Sequence, residues 1–443
     1  MKRIRNYSIS GSKYFILGVI FLVTVIITFI SMKFEQIMPS ATTMADATLP
    51  TVAMDTEAGT QYNALHGYTS ELDSTLFYGN ITPVAKDRKL TVTINTYGED
   101  IEGVAYKIRS LEDKSLIENT EVSDYDNAGS SINVTFNIKN LLDTGKEYAL
   151  EIVLKTKKHE AVYYYTRIVY GLQKKLDFVM DFNACTFDGS RLKDIAGYLE
   201  TSSSGDNTNY GKVNINCSLS QVGWGDLDPY VESDIMPEVI SVDDDVAILR
   251  LSYRVGAAND YSSSDTYTVS EYYRIRQTNS GFYLLNFERE MNQVFDARND
   301  LTSTAKINLG INSSTDVNCA SDEKGIYTYF VNQGSLWCFN SSSQTFTRVF
   351  SFKGEETDSV REGYDAHNIK IMKIEDNGDA TFLVSGYMNR GEHEGQVGVS
   401  LCRYSYSDND VTERLFIPMA IPYNILTQNV GGVSYVSNDK FYI

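Results

Sequence analysis

The strongest constraint on this fold is the alternation of apolar and polar residues along many short segments. In segment 90–94 apolar residues alternate with threonines, and the same alternation recurs in segments 104–108, 134–138 and 148–154. Because successive side chains of a strand point to opposite faces, a period of two predicts strands with one buried face. With 31 tyrosines, 7 prolines and polar turns between the segments, the chain is typical of a mostly β protein.

The segment Leu142–Ile152 carries a more specific pattern. A leucine and a glycine turn at Gly145 precede Tyr148, which opens an alternating strand. This pattern resembles the E–F corner of fibronectin type III and related immunoglobulin-like domains. The resemblance implies that the tyrosine ring packs in the core and that its hydroxyl bonds to backbone across the turn. It also implies a β-sandwich over residues 74–171, which such domains use as a spacer or docking module.

The second half of the chain contains consecutive strand-like segments joined by short polar turns. The clearest set comprises segments 325–331, 335–339 and 345–352. Antiparallel strands in direct succession resemble one blade of a β-propeller. Looser sets occupy 246–287 and 369–417, so blade-like units recur at spacings of about 50 residues. We therefore expect residues 172–443 to form a β-propeller-like domain.

Two segments near the ends of this region carry their own signals. Leu192, Ile195 and Leu199 lie at helical spacing, which predicts a short helix over residues 190–200. The last segment, 433–443, has the pattern of a strand, a turn and the start of another strand. That strand either closes the ring of blades or belongs to a longer protein of which this chain is a truncated copy, and we favour truncation.

Residues 14–32 form a run of 19 residues without a charge. As a helix the run is about 28 Å long, close to the thickness of the hydrocarbon core of a bilayer. The preceding tail, 1–13, is basic, so we expect this tail in the cytoplasm and the remainder outside. A cleaved signal peptide is the alternative, although its apolar core is normally shorter. Residues 33–73 sustain no apolar period and are expected to form a flexible stalk.

Charge and cysteine content exclude several classes of protein. The net charge is −19 and the basic residues are spread, which argues against binding to nucleic acid or tight contact with anionic lipid. None of the five cysteines forms a CxxC motif, so zinc-ribbon and thioredoxin-type sites are excluded. Cys185 and Cys217 are the one pair considered for a disulfide, and buried free thiols are the favoured alternative.

Few residues suggest chemistry, and no catalytic residue or cofactor is expected. Asp365 and His367, together with His393 and Glu394, could supply the three or four ligands that a metal needs if the two segments converge. Solvated charges on a glycine-rich loop are the favoured alternative. Adjacent tyrosines fall on both faces of a strand, so one member of such a pair can reach the surface and stack on a sugar or contact a protein. Tyr272 and Tyr273 are the candidates for ligand binding.

These features predict a single-pass cell-surface protein whose sandwich carries a propeller-like domain that binds an envelope glycan or a protein partner. The anchor, the sandwich and segment 386–395 resemble membrane-anchored envelope proteins of Gram-positive anaerobes, a resemblance that implies no established activity. Two alternatives remain open. One is an enzyme that acts on cell-wall polysaccharide, and the other is an accessory subunit of an envelope export or signalling assembly.

Overall fold

The fold is mostly β, which confirms the predicted class at this level, with 49% of residues in strands and 12% in helices. The computed structural model describes residues 16–25, 37–56, 59–84, 87–125, 129–139, 142–143, 146–170, 173–243, 245–257, 265–297, 302–303, 306–310, 317–354, 360–361, 363–430, 435–437 and 440–442. Five larger sheets, named I to V below, and two short hairpins make up the β structure of these residues.

The N-terminal part is described only over a short stretch. The predicted membrane span, 14–32, lies partly outside the described residues, and the basic tail 1–13 lies wholly outside them. Residues 16–25 form helix α1, whose side chains are exposed. No helix in the described part of the chain is both long enough and apolar enough to cross a membrane.

Sheets I and II are formed by residues 51–170 and contribute to one buried core. Their strands are β2 (Thr51–Asp55), β3 (Gln61–His66), β4 (Ile81–Val84), β5 (Lys89–Asn95), β6 (Ile101–Ser110), β7 (Leu116–Val122), β8 (Ser131–Asn137), β9 (Glu147–Thr156) and β10 (Val162–Tyr170). Sheet I has the order β3-β2-β5-β8, and sheet II has the order β4-β10-β9-β6-β7. Pairing is antiparallel except between β4 and β10, which are parallel.

The alternating segments form the strands that the period of two predicts. Val92 and Val134 of sheet I are fully buried, as are Tyr106 and Ile152 of sheet II, while polar neighbours on the same strands are more exposed. At the corner before β9, the Tyr148 ring is buried and its hydroxyl accepts a hydrogen bond from the backbone N–H of Asp143 at 3.0 Å. The tyrosine therefore has the geometry that the sequence motif implies.

The prediction of a flexible stalk over 33–73 is wrong for the described part of that segment. Strands β2 and β3 belong to sheet I, and Val52, Met54 and Tyr62 are buried in its core. The first four residues of β2 are all buried, so its side chains do not alternate between core and solvent. A search for a period of two therefore misses this strand.

Sheet III follows, and helix α2 (Gln173–Phe187) packs on one of its faces. Its strands are β11 (Lys212–Asn214), β12 (Tyr230–Val231), β13 (Met236–Val242), β14 (Val246–Ala257), β15 (Asp265–Thr278) and β16 (Gly281–Gln293). The order is β11-β16-β15-β14-β12, with β13 also paired to β14. Phe182 of the helix contacts Tyr273 and Phe287 of the sheet, with ring centroids 5.6 and 5.5 Å apart.

The first predicted blade, 246–287, does form antiparallel strands, but they belong to sheet III with its helix. The core of this sheet is continuous with that of sheets I and II. The helix expected at 190–200 is a 3-10 helix at Leu192–Tyr198, and a short helix, α3 (Leu219–Val222), follows. The longer α2 was not predicted, although Leu176, Val179 and Phe182 carry its helical spacing.

A buried ion pair joins α2, sheet III and α3. Glu271 and Arg289 have fully buried side chains, with Arg289 Nη1 3.8 Å from Glu271 Oε1. The carboxylate accepts hydrogen bonds from the hydroxyls of Tyr253 and Tyr273 at 3.0 and 2.6 Å, and from Asn183 of α2 at 2.8 Å. Burial, reinforced by the negative charge of Glu271, raises the pKa of both tyrosines well above its ordinary value. Both hydroxyls are therefore protonated and act as donors.

The guanidinium has partners of its own. Arg289 donates to the backbone carbonyls of Gln221 and Val222 at 3.0 and 2.9 Å, and it stacks 3.4 Å from the ring centroid of Trp224. The charged groups are thus largely satisfied, as burial of an ion pair requires.

Sheets IV and V form most of the C-terminal region. The remaining elements are β1 (Ile37–Met38), β17 (Thr302–Ser303), β18 (Lys306–Ile307), β19 (Cys319–Ser321), β20 (Tyr327–Asn332), β21 (Ser335–Asn340), β22 (Thr345–Phe350), β23 (His367–Ile374), β24 (Ala380–Tyr387), β25 (Val397–Ser405), β26 (Asp410–Pro418), α4 (Tyr423–Val430), β27 (Tyr435–Ser437) and β28 (Lys440–Tyr442). Sheet IV is β1-β22-β21-β20-β19 and sheet V is β23-β24-β25-β26. The strands predicted at 325–352 and 369–417 are therefore present.

Sheet V is covered on both faces. One face shares a buried cluster with sheet IV, and the other packs through Leu383 and Val399 against Tyr68 and Tyr165 of the N-terminal region and Leu426 of α4. No sheet of the described residues closes into a ring.

All five cysteines are free thiols. Cys185 and Cys217 are both buried, so this pair matches the favoured alternative of buried free thiols and not a disulfide.

Replacing Arg289 with methionine removes the cation and leaves the Glu271 carboxylate buried without its counter-ion. We expect the free energy of unfolding to fall by about 3–5 kcal/mol, measured by urea denaturation followed by circular dichroism. The control is Arg276→Met on the exposed face of β15. This substitution should change the free energy of unfolding by less than about 0.5 kcal/mol. A loss below about 1 kcal/mol for Arg289→Met would contradict the structural role of the pair.

Candidate functional site

A cleft of about 600 Å³ opens where sheets I, III and IV approach one another. Asn63 of β3 lines one side, strands β13 to β16 form the floor, and Trp337 of β21 and Arg348 of β22 line the opposite side. The segment that carries Lys353 contributes to the same wall. The cleft therefore depends on how three sheets from distant parts of the chain pack together.

The floor is the face of sheet III that points away from α2. Two register rows across β14, β15 and β16 line the cleft, Ser252–Ser270–Glu290 and Arg254–Thr268–Asn292, and the next row, Arg250–Tyr272–Glu288, lines a smaller adjoining cavity. Residues between them along the strands, such as Leu251, Glu271 and Arg289, are buried beneath. Because a strand alternates its side chains between two faces, the part of the floor formed by these rows of β14 to β16 is polar.

An aromatic group stands beside this polar floor. Trp337 is partly exposed in the cleft, and its ring packs edge-on against Phe295, with centroids 4.9 Å apart. Tyr364 also lines the cleft, and its ring stacks on His66 with centroids 3.8 Å apart. Indole and phenol rings offer flat apolar surfaces to a ligand that also needs hydrogen bonds.

Most charged groups of the cleft have partners of opposite charge. Lys353 pairs with Asp365 at 2.9 Å, and Glu290 lies 3.6 Å from the ammonium of Lys212. Arg250, at the edge of the floor, pairs with Glu238 at 3.4 Å.

Arg254 differs from the other cations of the cleft. Its side chain is half-buried and forms no ion pair or hydrogen bond with any other residue that the structure describes. Its register neighbours, Thr268 and Asn292, are uncharged. The guanidinium therefore offers its donors to the cleft.

The two candidate tyrosines lie on opposite faces of β15, as the adjacency of the residues predicts. Tyr272 is partly exposed and lines a smaller cavity of about 390 Å³ that shares Ser270 and Glu290 with the main cleft. Tyr273 is fully buried and donates its hydroxyl hydrogen bond to Glu271. Tyr272 is accordingly accessible to a ligand, whereas Tyr273 belongs to the core.

Of the four metal candidates, Asp365 and His367 lie near the wall of the cleft. Asp365 pairs with Lys353, and the His367 ring is buried against Phe352 with its Nε2 2.8 Å from the carbonyl oxygen of Gly334. Burial lowers the pKa of His367 below its ordinary value, so the ring is neutral. An imidazole held in this way serves to fix the wall.

His393 and Glu394 have different partners. His393 stacks on Phe416, and its Nε2 lies 2.9 Å from Glu413. Glu394 accepts hydrogen bonds from the backbone N–H groups of Thr48 and Leu49, at 2.7 and 2.9 Å, and so ties the N-terminal segment to sheet V. No group of three or more histidine, cysteine, aspartate or glutamate side chains within the described ranges is arranged to hold a metal ion.

Most residues that line the cleft are not predicted from the sequence. Arg254 and Trp337 were not singled out, because each lies within an ordinary strand pattern. A usable signal exists in residues 250–254 of β14 and 268–276 of β15, where every second residue is charged or hydroxylated. This pattern indicates a polar face, but it does not say that another sheet stands opposite that face.

Comparison of the chain with protein-family models and with curated proteins finds no match in either case.

His66 lies directly behind the cleft wall, and its protonation affects stability. Burial, together with the positive charge of Arg361, lowers the pKa of His66 from 6.5 to about 3. Below pH 6.5 the unfolded chain therefore binds a proton at this residue that the folded chain does not bind. The contribution of His66 to stability is complete above pH 6.5 and is lost as the pH falls towards 3.

We expect His66→Phe, which keeps the ring stacked on Tyr364, to reduce this acid sensitivity. Relative to the variant, the native protein should lose up to about 1.4 kcal/mol of unfolding free energy per pH unit below 6.5. Urea denaturation at pH 7, 6, 5 and 4 measures the difference between the two proteins. Parallel pH profiles for the native protein and the variant would contradict the assignment.

Proposed function

We propose that this protein is a membrane-anchored extracytoplasmic binding protein whose cleft between sheets I, III and IV holds an envelope glycan. The observation that carries the proposal is the composition of the cleft: a polar sheet face as the floor, with Trp337 and Tyr364 on the walls. Sugars present hydroxyl groups at their edges and apolar patches on their ring faces. Hydrogen-bonding floors and aromatic walls match these two features together.

The floor suits an extended ligand. The floor carries three short hydroxylated side chains, those of Ser252, Ser270 and Thr268. Tyr272 lies to one side of them, in the adjoining cavity. Short hydroxylated residues leave room for a chain to lie across the strands, and they can donate or accept hydrogen bonds as the ligand requires. The two adjoining cavities provide space for more than one sugar unit.

The architecture supports a display role. We assign residues 51–170 to an immunoglobulin-like β-sandwich, on the strand orders of sheets I and II and the bond between Tyr148 and Asp143. We assign sheets IV and V to a pair of propeller-like blades, because four consecutive antiparallel strands in each pack through one buried cluster. Sheet III with α2 is an α+β element whose core is continuous with that of sheets I and II, and it supplies the floor of the cleft.

The anchor remains part of the proposal. The apolar run at 14–32, preceded by a basic tail, supports an N-terminus in the cytoplasm and a folded part outside. Strand β1 begins at Ile37 and already pairs with sheet IV. The five Cα–Cα steps from Met32 to Ile37 span at most about 18 Å, so the folded part would sit close to the membrane surface.

The orientation can be tested with Cys319, which is exposed while the other four cysteines are buried. In intact cells that produce the chain, a membrane-impermeant maleimide should label the protein at this residue. Cys319→Ser should abolish the labelling, and lysis should not increase it for the native chain. Labelling that appears only after lysis would contradict an extracytoplasmic location.

Glycan binding can be measured by calorimetric titration of the full chain in detergent with a panel of soluble oligosaccharides. The panel comprises chitohexaose, glycan strands released from peptidoglycan, and oligogalacturonate. Trp337→Ala and Tyr272→Ala should each weaken binding of the preferred member about tenfold or more, because each removes an aromatic contact surface. The matched control is Tyr283→Ala on β16, an exposed tyrosine that lines neither cavity and should leave affinity unchanged.

Two results would overturn this proposal. Absence of binding to every panel member at millimolar concentration would remove the glycan ligand. Equal loss of affinity for Tyr283→Ala and Trp337→Ala would show that binding does not occur in the cleft. Shortening of the oligosaccharides during titration would favour the alternative of a polysaccharide-active enzyme.

A further inference from the structure

Arg254 gives the cleft a charge preference. It is half-buried in the floor, and it is a cation of the cleft whose side chain has no counter-ion among the described residues. Removing part of the hydration of a guanidinium is costly unless other acceptors replace the water. A planar group with five N–H donors is suited to two parallel hydrogen bonds with a carboxylate or a phosphate.

The other two cations that line the cleft have partners in the structure, although Arg348 has no counter-ion among the described residues. Lys353 is held by Asp365 and by the carbonyl oxygen of Gln333, at 2.9 and 2.6 Å. Arg348 donates from Nε to the hydroxyl of Ser40 at 3.4 Å. An acidic side chain at the rim, Asp234, is exposed, so water and salt screen its repulsion of an anion.

The position of Arg254 also fits recognition of a substituent on a polyhydroxylated chain. Thr268 lies beside it on the neighbouring strand, and Ser252 and Ser270 occupy the next row. A ligand that places its acidic group on the guanidinium therefore places its adjoining hydroxyl groups over hydroxylated side chains. Trp337 stands on the wall across the same cleft.

We infer that the cleft selects an acidic glycan, in which a carboxylate or phosphate substituent binds Arg254 while the neighbouring sugar units lie on the polar floor. This inference rests on the proposed glycan-binding function and specifies the chemical class of its ligand. Because the net charge of the chain is −19, long-range electrostatic attraction would favour cationic ligands over an acidic glycan. Selection of an anion must come from a local contact.

The test compares an acidic and a neutral form of the same oligosaccharide. The full chain in detergent is titrated with hexameric oligogalacturonate and with its fully methyl-esterified form, which is neutral and has the same sugar units. A poly(glycerol phosphate) oligomer forms a third arm and separates phosphate from carboxylate recognition. We expect an acidic probe to bind at least tenfold more tightly than the neutral ester, with an affinity that falls as salt is raised from 50 to 500 mM.

Variants locate the effect. Arg254→Gln should remove the preference for the acidic form while leaving the affinity for the ester within about twofold of the native value. Arg254→Lys should retain part of the preference, because lysine keeps the positive charge but lacks the planar group that forms two parallel hydrogen bonds. The control, Arg276→Gln, changes an exposed arginine of β15 outside both cavities and should behave as the native chain. A circular dichroism spectrum that matches the native one verifies the fold of each variant.

The possible outcomes distinguish the charge preference of the cleft from its glycan-binding function. Equal affinity for the acidic and neutral forms would overturn the charge inference and leave the glycan-binding function in place. A preference that survives Arg254→Gln would overturn the role of this arginine. Failure of all three probes and of the oligosaccharide panel would overturn both proposals together.

Discussion

The buried ion pair between Glu271 and Arg289 orders the sheet from which the floor of the cleft is built. It joins helix α2, sheet III and the turn after α3, and it is satisfied by Tyr253, Tyr273 and Asn183 on one side and backbone carbonyls on the other. Its two residues alternate with Ser270, Tyr272, Glu288 and Glu290, which line the cleft or the adjoining smaller cavity. The network that orders the core therefore also fixes the spacing of the polar floor.

A second set of contacts determines that a cleft exists. The N-terminal segment reaches sheet V through Glu394 and its bonds to Thr48 and Leu49, and the Tyr387 hydroxyl donates to the carbonyl of Gly67 at 2.7 Å. Upstream, β1 pairs with β22 of sheet IV. These contacts hold sheet I beside sheets IV and V, so that the polar face of sheet III is enclosed rather than open to solvent.

The sequence predicted the strands better than their grouping. Alternation located β5, β6, β8 and β9, and the turn pattern around Asn332 located β20 and β21, because each signal arises from neighbours along the chain. It missed β2, which is buried on both faces, and it placed β14 to β16 in a blade. Whether three antiparallel strands pack against a helix or another sheet depends on residues far away in the sequence, such as Phe182 on α2.

The mostly β class, many of the strand positions, the buried tyrosine at the start of β9 and the uncharged run at 14–32 follow from the chain alone, since each is a local pattern of hydropathy or turn chemistry. Only three-dimensional packing establishes that Tyr273 is buried while Tyr272 is accessible, that His393 and Glu394 have separate partners, and that Arg254 and Trp337 line one cleft. The physical reason is that burial, charge pairing and enclosure depend on which distant segments pack together.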